Sequence, residues 1–398
     1  MAVVVVVGAG IVGMSAAHRL ALSGAEVTVI DPALAGRATA AGAGIVSPGS
    51  GGGEPPALVD LIRRGAEHYP RLLERLAADG EPDTGYSVCG LLEVAIGTRA
   101  EAELPAALAC AEDRARAGFG QIGRPELVDG AAARRLHPLL TDDVRAAVHL
   151  PGAARVDGRR LQAALAGACR RRGVRILTAP AALRLAASGV QVVCAGRGVG
   201  ADVVILAAGV WSAELARPLG LELPLRAQRG QILHLAGPAG CGGWPIVTGL
   251  GWYYLLSFAP DRVVAGATHE DGPDLSAEVT GAGVEEVRAA AVRLAPRLAG
   301  ASIRERRVGL RPVSADGLPL LGRPAGFDNL VVATGNGSTG LQLGPLCGEI
   351  AADVALGTSP GVDLAPFRPD RSPVSGELPG QVPGLPTAPL DPFRISAT

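Results

Sequence analysis

The hydrophobic pattern at the N-terminus predicts a strand, a helix and a second strand in close succession. Val3–Val7 is an uninterrupted run of valines, which is typical of a parallel strand buried on both faces. Residues 11–23 predict a helix that ends at Gly24, a residue type favoured at helix C-termini. Glu26–Ile30 predicts the second strand, which ends at Asp31. Together these segments indicate a β-α-β unit.

The same succession of apolar segments and turns continues to about residue 357. Residues 221–270 are rich in strand-forming residues, and the chain from residue 360 onward is proline-rich and aperiodic. That last segment predicts an extension that is draped on the surface or disordered. Further helices are predicted over 56–78, 100–117, 158–172, 283–299 and 341–356, strands over 174–177, 189–195, 202–206, 303–310 and 330–333, and loops over 36–53, 311–322 and 334–340.

Composition and charge narrow the class of protein. The chain has 398 residues, of which 48% are hydrophobic and 19% charged, as expected for a globular protein with two lobes. A net charge of −1 gives no electrostatic reason to expect nucleic acid or an anionic membrane as partner. No apolar run approaches the roughly 20 residues of a membrane helix. The six cysteines are scattered, which predicts neither disulfides nor a metal site, and we expect a cytoplasmic protein.

A glycine-rich loop between the first strand and the first helix carries the first specific chemistry. Gly8, Gly10 and Gly13 have the spacing GxGxxG. Such a loop lets a pyrophosphate approach the free N–H groups and the positive end of the helix dipole. Asp31 follows Gly8 by 23 residues, near the spacing of an acidic residue that accepts from a ribose hydroxyl. The motif predicts a dinucleotide cofactor but does not distinguish FAD from NAD.

Aromatic residues are concentrated in one short segment. The chain has five Phe, three Trp and four Tyr, and five of these twelve lie between residues 244 and 258. An apolar wall with a few polar groups is typical of a site for a small ligand, although a core or interface cluster has the same composition. The five residues are Trp244, Trp252, Tyr253, Tyr254 and Phe258.

Two later segments carry a family resemblance. VVILAAGVWSAELARPLGLELPLRAQRGQILHL (203–235) and GLRPVSADGLPLLG with NLVVATGNGSTGLQLGPLCGEIAADVALG (309–357) resemble D-amino-acid oxidase-like flavoenzymes. The resemblance extends over residues 1–357 and includes VDGRRLQAAL (156–165) and the GAT-x-E step at 266–270. By these motifs the chain is similar to glycine oxidases, D-amino-acid dehydrogenases and sarcosine oxidases.

The resemblance implies an α/β fold with a discontinuous Rossmann-like FAD-binding domain and an inserted α+β substrate domain on a mixed sheet. The implied FAD-binding segments are 1–85, 150–220 and 305–358, the substrate segments are 86–149 and 221–304, and the proline-rich extension is 359–398.

The resemblance also implies roles for individual residues. Arg311 matches the arginine that pairs with a substrate carboxylate, Tyr254 matches the tyrosine that assists it, and Tyr253 is the alternative. A structural arginine that caps its loop is the other interpretation of Arg311. The implied FAD-binding residues are Gly8, Gly10, Ile11, Val12, Gly13, Asp31, Thr39, Ala40, Gly42, Gly44, Ile45, Ala182, Gly209, Trp211, Gly335, Gly337, Ser338, Thr339, Gly340 and Leu341.

The implied activity is oxidation of the carbon–nitrogen bond of a small amino acid or amine. A hydride passes to flavin N5, the imine hydrolyses to an oxo acid, and oxygen or a quinone accepts the electrons. The chain departs from the family at Asn336, where relatives often carry His, and at Ser338, where glycine oxidases carry a second Arg. These departures leave room for an alternative, a tailoring oxidase of a specialised amine. His269 could tune the amine or the flavin.

Two other classes fit less of the sequence. A flavin hydroxylase would be expected to carry a GDAAH-like loop near its C-terminal flavin segment, where this chain has GLRPVSADGLPLLG. A non-catalytic or NAD-binding Rossmann protein would leave Arg311 and the C-terminal glycine loop unexplained.

Overall fold

A computed structural model describes residues 1–249, 251–272 and 276–371. The described helices are α1 Ile11–Leu22, α2 Ala38–Ala41, α3 Pro56–Ala78, α4 Thr98–Arg116, α5 Gly130–Leu136, α6 Gly158–Arg171, α7 Ser212–Ala216, α8 Gly281–Leu294 and α9 Gly340–Ala355. The strands are β1 Val3–Val7, β2 Glu26–Ile30, β3 Ile45–Val46, β4 Ser87–Val88, β5 Leu91–Ile96, β6 Glu126–Asp129, β7 Val144–Leu150, β8 Ala154–Arg155, β9 Arg175–Leu177, β10 Ala181–Ala186, β11 Gly189–Cys194, β12 Arg197–Val199, β13 Val203–Leu206, β14 Leu225–Ala236, β15 Ile246–Gly249, β16 Gly251–Phe258, β17 Arg262–Gly266, β18 Glu270–Asp271, β19 Ile303–Ser314, β20 Leu320–Gly322 and β21 Leu330–Thr334.

The valine run β1 lies inside a six-stranded sheet with the order β20-β21-β13-β1-β2-β9. All neighbouring pairs in this sheet are parallel except β20 with β21. Val4 and Val6 pack into the core that contains α1, α3, α6 and α9. Val5 and Val7 pack into a second core with β10 and β11, which belong to a separate three-stranded sheet. The strand is therefore buried on both faces, as its sequence predicts.

A second, nine-stranded sheet has the order β18-β14-β17-β16-β15-β5-β7-β6, with β19 also paired to β14. This sheet is mixed, because β15 and β5 are parallel whereas the other neighbouring pairs are antiparallel. The aromatic segment forms its centre, on β16. Helix α8 packs against its face through Val287, Ala291 and Leu294.

The predicted loop at 311–322 is wrong at both ends, because its first residues belong to β19 and its last three form β20. Strand β19 continues to Ser314, and Arg311 pairs in register with Gln228 on β14. The prediction failed because this strand is stabilised by a partner some 80 residues away, and the proline at position 312 suggested a break. Arg311 is therefore held by a long two-stranded ladder, which fixes its backbone.

Other elements have bounds that differ from the sequence prediction, and the reasons are local. Helix α8 ends at Leu294, and a 3₁₀-helix, Pro296–Gly300, follows, because the residue before a proline disfavours the α conformation. The predicted loop 36–53 contains the short elements α2 and β3. Within the described ranges, no helix combines the length and the apolar character needed to cross a membrane.

The described part of the C-terminal extension packs against the protein. The Phe367 side chain is only 1% exposed and belongs to the core beneath the six-stranded sheet. Arg371 forms two hydrogen bonds to the Asp316 carboxylate, at 2.6 and 2.7 Å. Residues 372–398, to which the prediction of a draped or disordered extension also applied, lie outside the described residues.

Candidate active site

A cavity of about 780 Å³ is lined by residues from both large sheets. Of the residues predicted to bind FAD or to act in catalysis, all but Gly13, Ala40 and Thr339 line it. These three have structural contacts instead: Gly13 packs on Gly8, the Ala40 carbonyl accepts from Arg159 and Arg307, and the Thr339 hydroxyl donates to the Asn336 carbonyl. The sequence thus predicted residues that the fold brings to one cavity.

The three glycines of the first loop meet different steric demands. Gly8 has φ +111°, and a β-carbon there would lie 2.3 Å from the Ala207 carbonyl oxygen. A β-carbon on Gly13 would lie 1.9 Å from the Gly8 carbonyl oxygen, so α1 packs directly on the loop. At Gly10 the nearest atom is the Thr39 hydroxyl oxygen at 3.4 Å. The protein therefore leaves room beside Gly10, on the side where a ligand would approach.

Asp31 is fixed at the end of β2. Its two carboxylate oxygens accept hydrogen bonds from the backbone N–H groups of Ala9 and Ala33, each at 2.6 Å. The carboxylate is thus oriented by the glycine loop itself and still lines the cavity. A carboxylate oxygen can accept more than one hydrogen bond, so Asp31 retains capacity to accept from a ligand hydroxyl.

Two long helices begin at the cavity. The lining includes Gly10, the residue before α1, and Ile11, its first residue, together with Gly340 and Leu341 at the start of α9. Free N–H groups and the helix dipole make such ends favourable for negative charge. Asn336, just before α9, also lines the cavity, and its buried side-chain oxygen has no hydrogen-bond partner in the described structure.

Arg311 lies on β19 in the nine-stranded sheet and lines the cavity. Its Nη1 donates to the Thr268 carbonyl oxygen at 3.0 Å and to the Gln228 side-chain oxygen at 3.3 Å. The guanidinium lies over Gly230, where a β-carbon would be 2.4 Å from Nη2. Burial lowers the pKa of Arg311, but its ordinary value is high enough that the group stays charged. No carboxylate among the described residues forms an ion pair with it.

The two neighbouring tyrosines point in different directions, as adjacent strand residues do. The Tyr253 hydroxyl donates to the Glu286 carboxylate on α8 at 2.8 Å. The Tyr254 ring packs on the opposite side of the sheet, in the core that contains Ile232. Burial raises the pKa of Tyr254 to about 12, and the nearby charge of Arg311 partly opposes that shift. Tyr254 therefore keeps its proton at neutral pH.

His269 and Trp252 form a further part of the wall. Their ring centroids are 5.2 Å apart, and both residues line the cavity. Burial and then the positive charge of Arg311 lower the pKa of His269 to about 4, although the Ala267 carbonyl acts in the other direction. Its Nδ1 is buried and makes no hydrogen bond within the described structure. At neutral pH His269 is an uncharged polar group in an aromatic wall.

Sequence reasoning missed several lining residues. The residues Arg37, Thr248, Glu214 and Pro180 were not among the predicted site residues, and the folded chain brings them to the cavity. Trp252 stands out in the sequence as one of an aromatic cluster, but its pairing with His269 could not be read from their separation along the chain.

Comparisons with known proteins agree with this geometry. The model of the FAD dependent oxidoreductase family (DAO) matches residues 4–354. The uncharacterized oxidoreductase YurR of Bacillus subtilis is 38% identical over 373 residues, which cover 92% of this chain and 98% of the relative. Glycine oxidase of Pseudomonas putida is 32% identical over 383 residues, with 92% and 98% covered.

Solved structures show the same fold. The structure of iminodiacetate oxidase (IdaA) from Chelativorans sp. BNC1 has a TM-score of 0.88 and 38% identity, and covers 92% of this chain and 98% of its own. Glycine oxidase from Geobacillus kaustophilus has a TM-score of 0.84 and 26% identity, with 94% and 100% covered. The predicted fold class and the predicted FAD cofactor are confirmed. The chain belongs to the family of FAD-dependent oxidoreductases of the D-amino-acid oxidase type.

Proposed function

We propose that this flavoprotein oxidises the carbon–nitrogen bond of a small amino acid or N-alkyl amino acid. The observation that carries the proposal is Arg311, a desolvated guanidinium that lines the cavity without a carboxylate partner among the described residues. A guanidinium fork suits a planar carboxylate, and burial strengthens the pairing. The names of the similar glycine oxidases and iminodiacetate oxidase support a substrate of the same kind.

Arg311 would orient the substrate rather than act as an acid or base. Nη1 is already held by Thr268 and Gln228, which leaves the remaining guanidinium N–H groups for the carboxylate. Tyr254, protonated at neutral pH, would donate a hydrogen bond to the same group. Such fixed contacts place the substrate carbon in a reactive position and reduce its freedom of motion.

The chemistry that FAD supplies when bound is acceptance of a hydride, with its two electrons, from the substrate carbon next to nitrogen. The amine must be neutral for this step, because its lone pair stabilises the developing iminium. Tyr254 and His269 are uncharged at neutral pH, so this wall offers no negative charge that would hold the amine as an ammonium ion. The imine product then hydrolyses to an oxo acid and ammonia or an amine.

For FAD itself we propose the cavity-lining residues that the sequence predicted. Gly8, Gly10 and the start of α1 would hold the pyrophosphate, and Asp31 the adenosine ribose. The loop from Gly335 to Leu341 and the start of α9 would lie at the edge of the flavin ring, where negative charge accumulates on reduction. The unpartnered side-chain oxygen of Asn336 fits a polar ligand there.

A second candidate is oxidation of a larger, specialised amine. Trp252 is 43% exposed although it lines the cavity, so the wall of aromatic residues reaches the protein surface. The small side chain of Ser338 also replaces the second arginine expected of a glycine oxidase. We propose oxygen or a quinone as the final electron acceptor for either substrate class.

An anaerobic titration of the purified protein tests the function. The visible flavin spectrum would be recorded while glycine, sarcosine, D-alanine, D-proline, iminodiacetate or a panel of larger amines is added. Bleaching by an amino acid or N-alkyl amino acid supports the proposal, and bleaching by carboxylate-free amines alone supports the second candidate. A protein that binds FAD but is bleached by none of them, at any pH between 6 and 9, contradicts amine oxidation.

Replacement of Tyr254 by Phe is expected to lower kcat/KM by about tenfold, since one hydrogen bond to a charged group is lost. Steady-state rates with the best substrate provide the measurement. Tyr253→Phe is the matched variant, because its hydroxyl bonds to Glu286 instead, and it should have the smaller effect. Equal losses of kcat/KM in the two variants would contradict the proposed role of Tyr254.

A further inference from the structure

Arg37 is a cavity-lining cation that is not among the residues predicted to bind FAD. It lies between β2 and α2 and lines the same cavity as Asp31, Leu34 and Thr39. The side chain is half-buried, yet it forms no hydrogen bond or ion pair with any described residue. Because the residue lines the cavity, a ligand bound there could supply the missing partner.

The pyrophosphate of FAD needs a neutralising cation, and few charged side chains line the cavity. The charged side chains in the lining are Asp31, Arg37, Glu214 and Arg311. Arg311 is held at the nine-stranded sheet by hydrogen bonds to Thr268 and Gln228. The start of α1 contributes only about half a positive charge, whereas the pyrophosphate of FAD carries two negative charges. Arg37 is the remaining cation.

Arg37 is also within reach of the pyrophosphate position. It precedes Thr39 by two residues, and the Thr39 hydroxyl accepts the Ile11 N–H, at the start of α1, at 3.0 Å. Two residues span at most about 7 Å. The backbone of Arg37 is fixed by an isolated bridge to Leu310, and the preceding Gly36 carbonyl accepts a hydrogen bond from the Leu310 N–H at 2.8 Å. The side chain therefore extends from an anchored backbone.

We propose that Arg37 binds the pyrophosphate of FAD, as the cationic partner to the N–H groups at the start of α1. This role concerns retention of the cofactor and does not depend on the identity of the amine substrate. A guanidinium can donate two parallel hydrogen bonds to phosphate oxygens, and it carries a full positive charge where a helix end carries about half of one.

The test measures cofactor affinity rather than turnover. Apoprotein would be titrated with FAD and with riboflavin, which lacks phosphate, and the change in flavin fluorescence would give each Kd. Arg37→Ala is expected to raise the Kd for FAD by about 10- to 100-fold, the effect of one charge-assisted hydrogen-bonded pair, with no change for riboflavin. Arg37→Lys should restore part of the affinity and keep its dependence on salt.

The same titrations separate a direct contact with phosphate from an indirect effect on the fold or on the substrate. Arg124→Ala, at an exposed arginine outside the cavity, is the matched control and should leave both Kd values unchanged. An unchanged Kd for FAD in Arg37→Ala overturns the proposal, and so does an equal loss of FAD and riboflavin binding, which would indicate a disturbed fold. An unchanged Kd for FAD with a raised KM for substrate would place Arg37 at the substrate instead.

Discussion

Replacement of Arg311 by Ala is expected to lower kcat/KM for amino-acid substrates by about 10³-fold, while FAD remains bound. The loss corresponds to about 4 kcal/mol, as expected when a buried charge pair loses one partner. Most of the effect should appear in KM if the arginine only binds the carboxylate, and in kcat as well if it positions the reacting carbon. Steady-state rates and the flavin spectrum of the purified variant provide the measurement.

Two controls make the Arg311 result specific. Arg311→Lys keeps the charge but loses the planar fork, so its loss should be intermediate. A substrate analogue without a carboxylate should be oxidised almost equally by the parent protein and by Arg311→Ala. If the variant loses both kinds of substrate equally, Arg311 maintains the cavity and does not recognise the carboxylate.

Replacement of Gly10 by Ala is expected to abolish tight FAD binding without unfolding the protein. Gly10 has φ −69° and ψ −178°, which alanine adopts easily, and the nearest atom to a new β-carbon is 3.4 Å away. The added methyl group would instead occupy the side on which the pyrophosphate approaches. We expect the Kd for FAD to rise by about 100-fold, in line with the cost of an overpacked contact, while far-UV circular dichroism and the Tm of the apoprotein stay near those of the parent.

Neighbouring glycines provide the contrast. Gly13→Ala should reduce the Tm of the apoprotein, because its β-carbon would lie 1.9 Å from the Gly8 carbonyl oxygen. Gly300→Ala, where a β-carbon meets nothing within 4 Å, should change neither stability nor FAD affinity. A Gly10→Ala protein that binds FAD as tightly as the parent would show that the pyrophosphate lies elsewhere.

The nucleotide half of the site could be predicted because its requirements are local. Gly8, Gly13 and Asp31 lie within one β-α-β unit, where Gly13 packs on Gly8 and Asp31 accepts from the Ala9 N–H. The contact of Gly8 with the Ala207 carbonyl comes from outside that unit. Helix α3 was predicted with its observed bounds for the same reason, since the amphipathic pattern of a long helix is contained in its own sequence. In both cases the residues that determine the structure are neighbours in sequence.

The substrate half depends on contacts between distant segments. Arg311 was predicted to be functional but in a loop, because its pairing with Gln228 on β14 has no local signal. The neutral state of His269 results from burial and from Arg311, neither of which its sequence neighbours reveal. Arg37 gave no signal at all, since a single arginine in a loop is usually solvated. Its significance comes from its place in the cavity lining and from the lack of a partner in the described structure.

The order of strands in the six-stranded sheet has a consequence for synthesis of the protein. The N-terminal strand β1 pairs with β13, and β13 pairs with β21, which ends only at Thr334. The cavity lining is then completed by residues up to Leu341, at the start of α9. The glycine loop is therefore translated more than 300 residues before the last residues of the lining, so a growing chain cannot enclose the cofactor until Leu341 has left the ribosome. A chain that stops before β21 lacks the part of the cavity lining from Ala333 to Leu341, and we expect it to remain in the apo form.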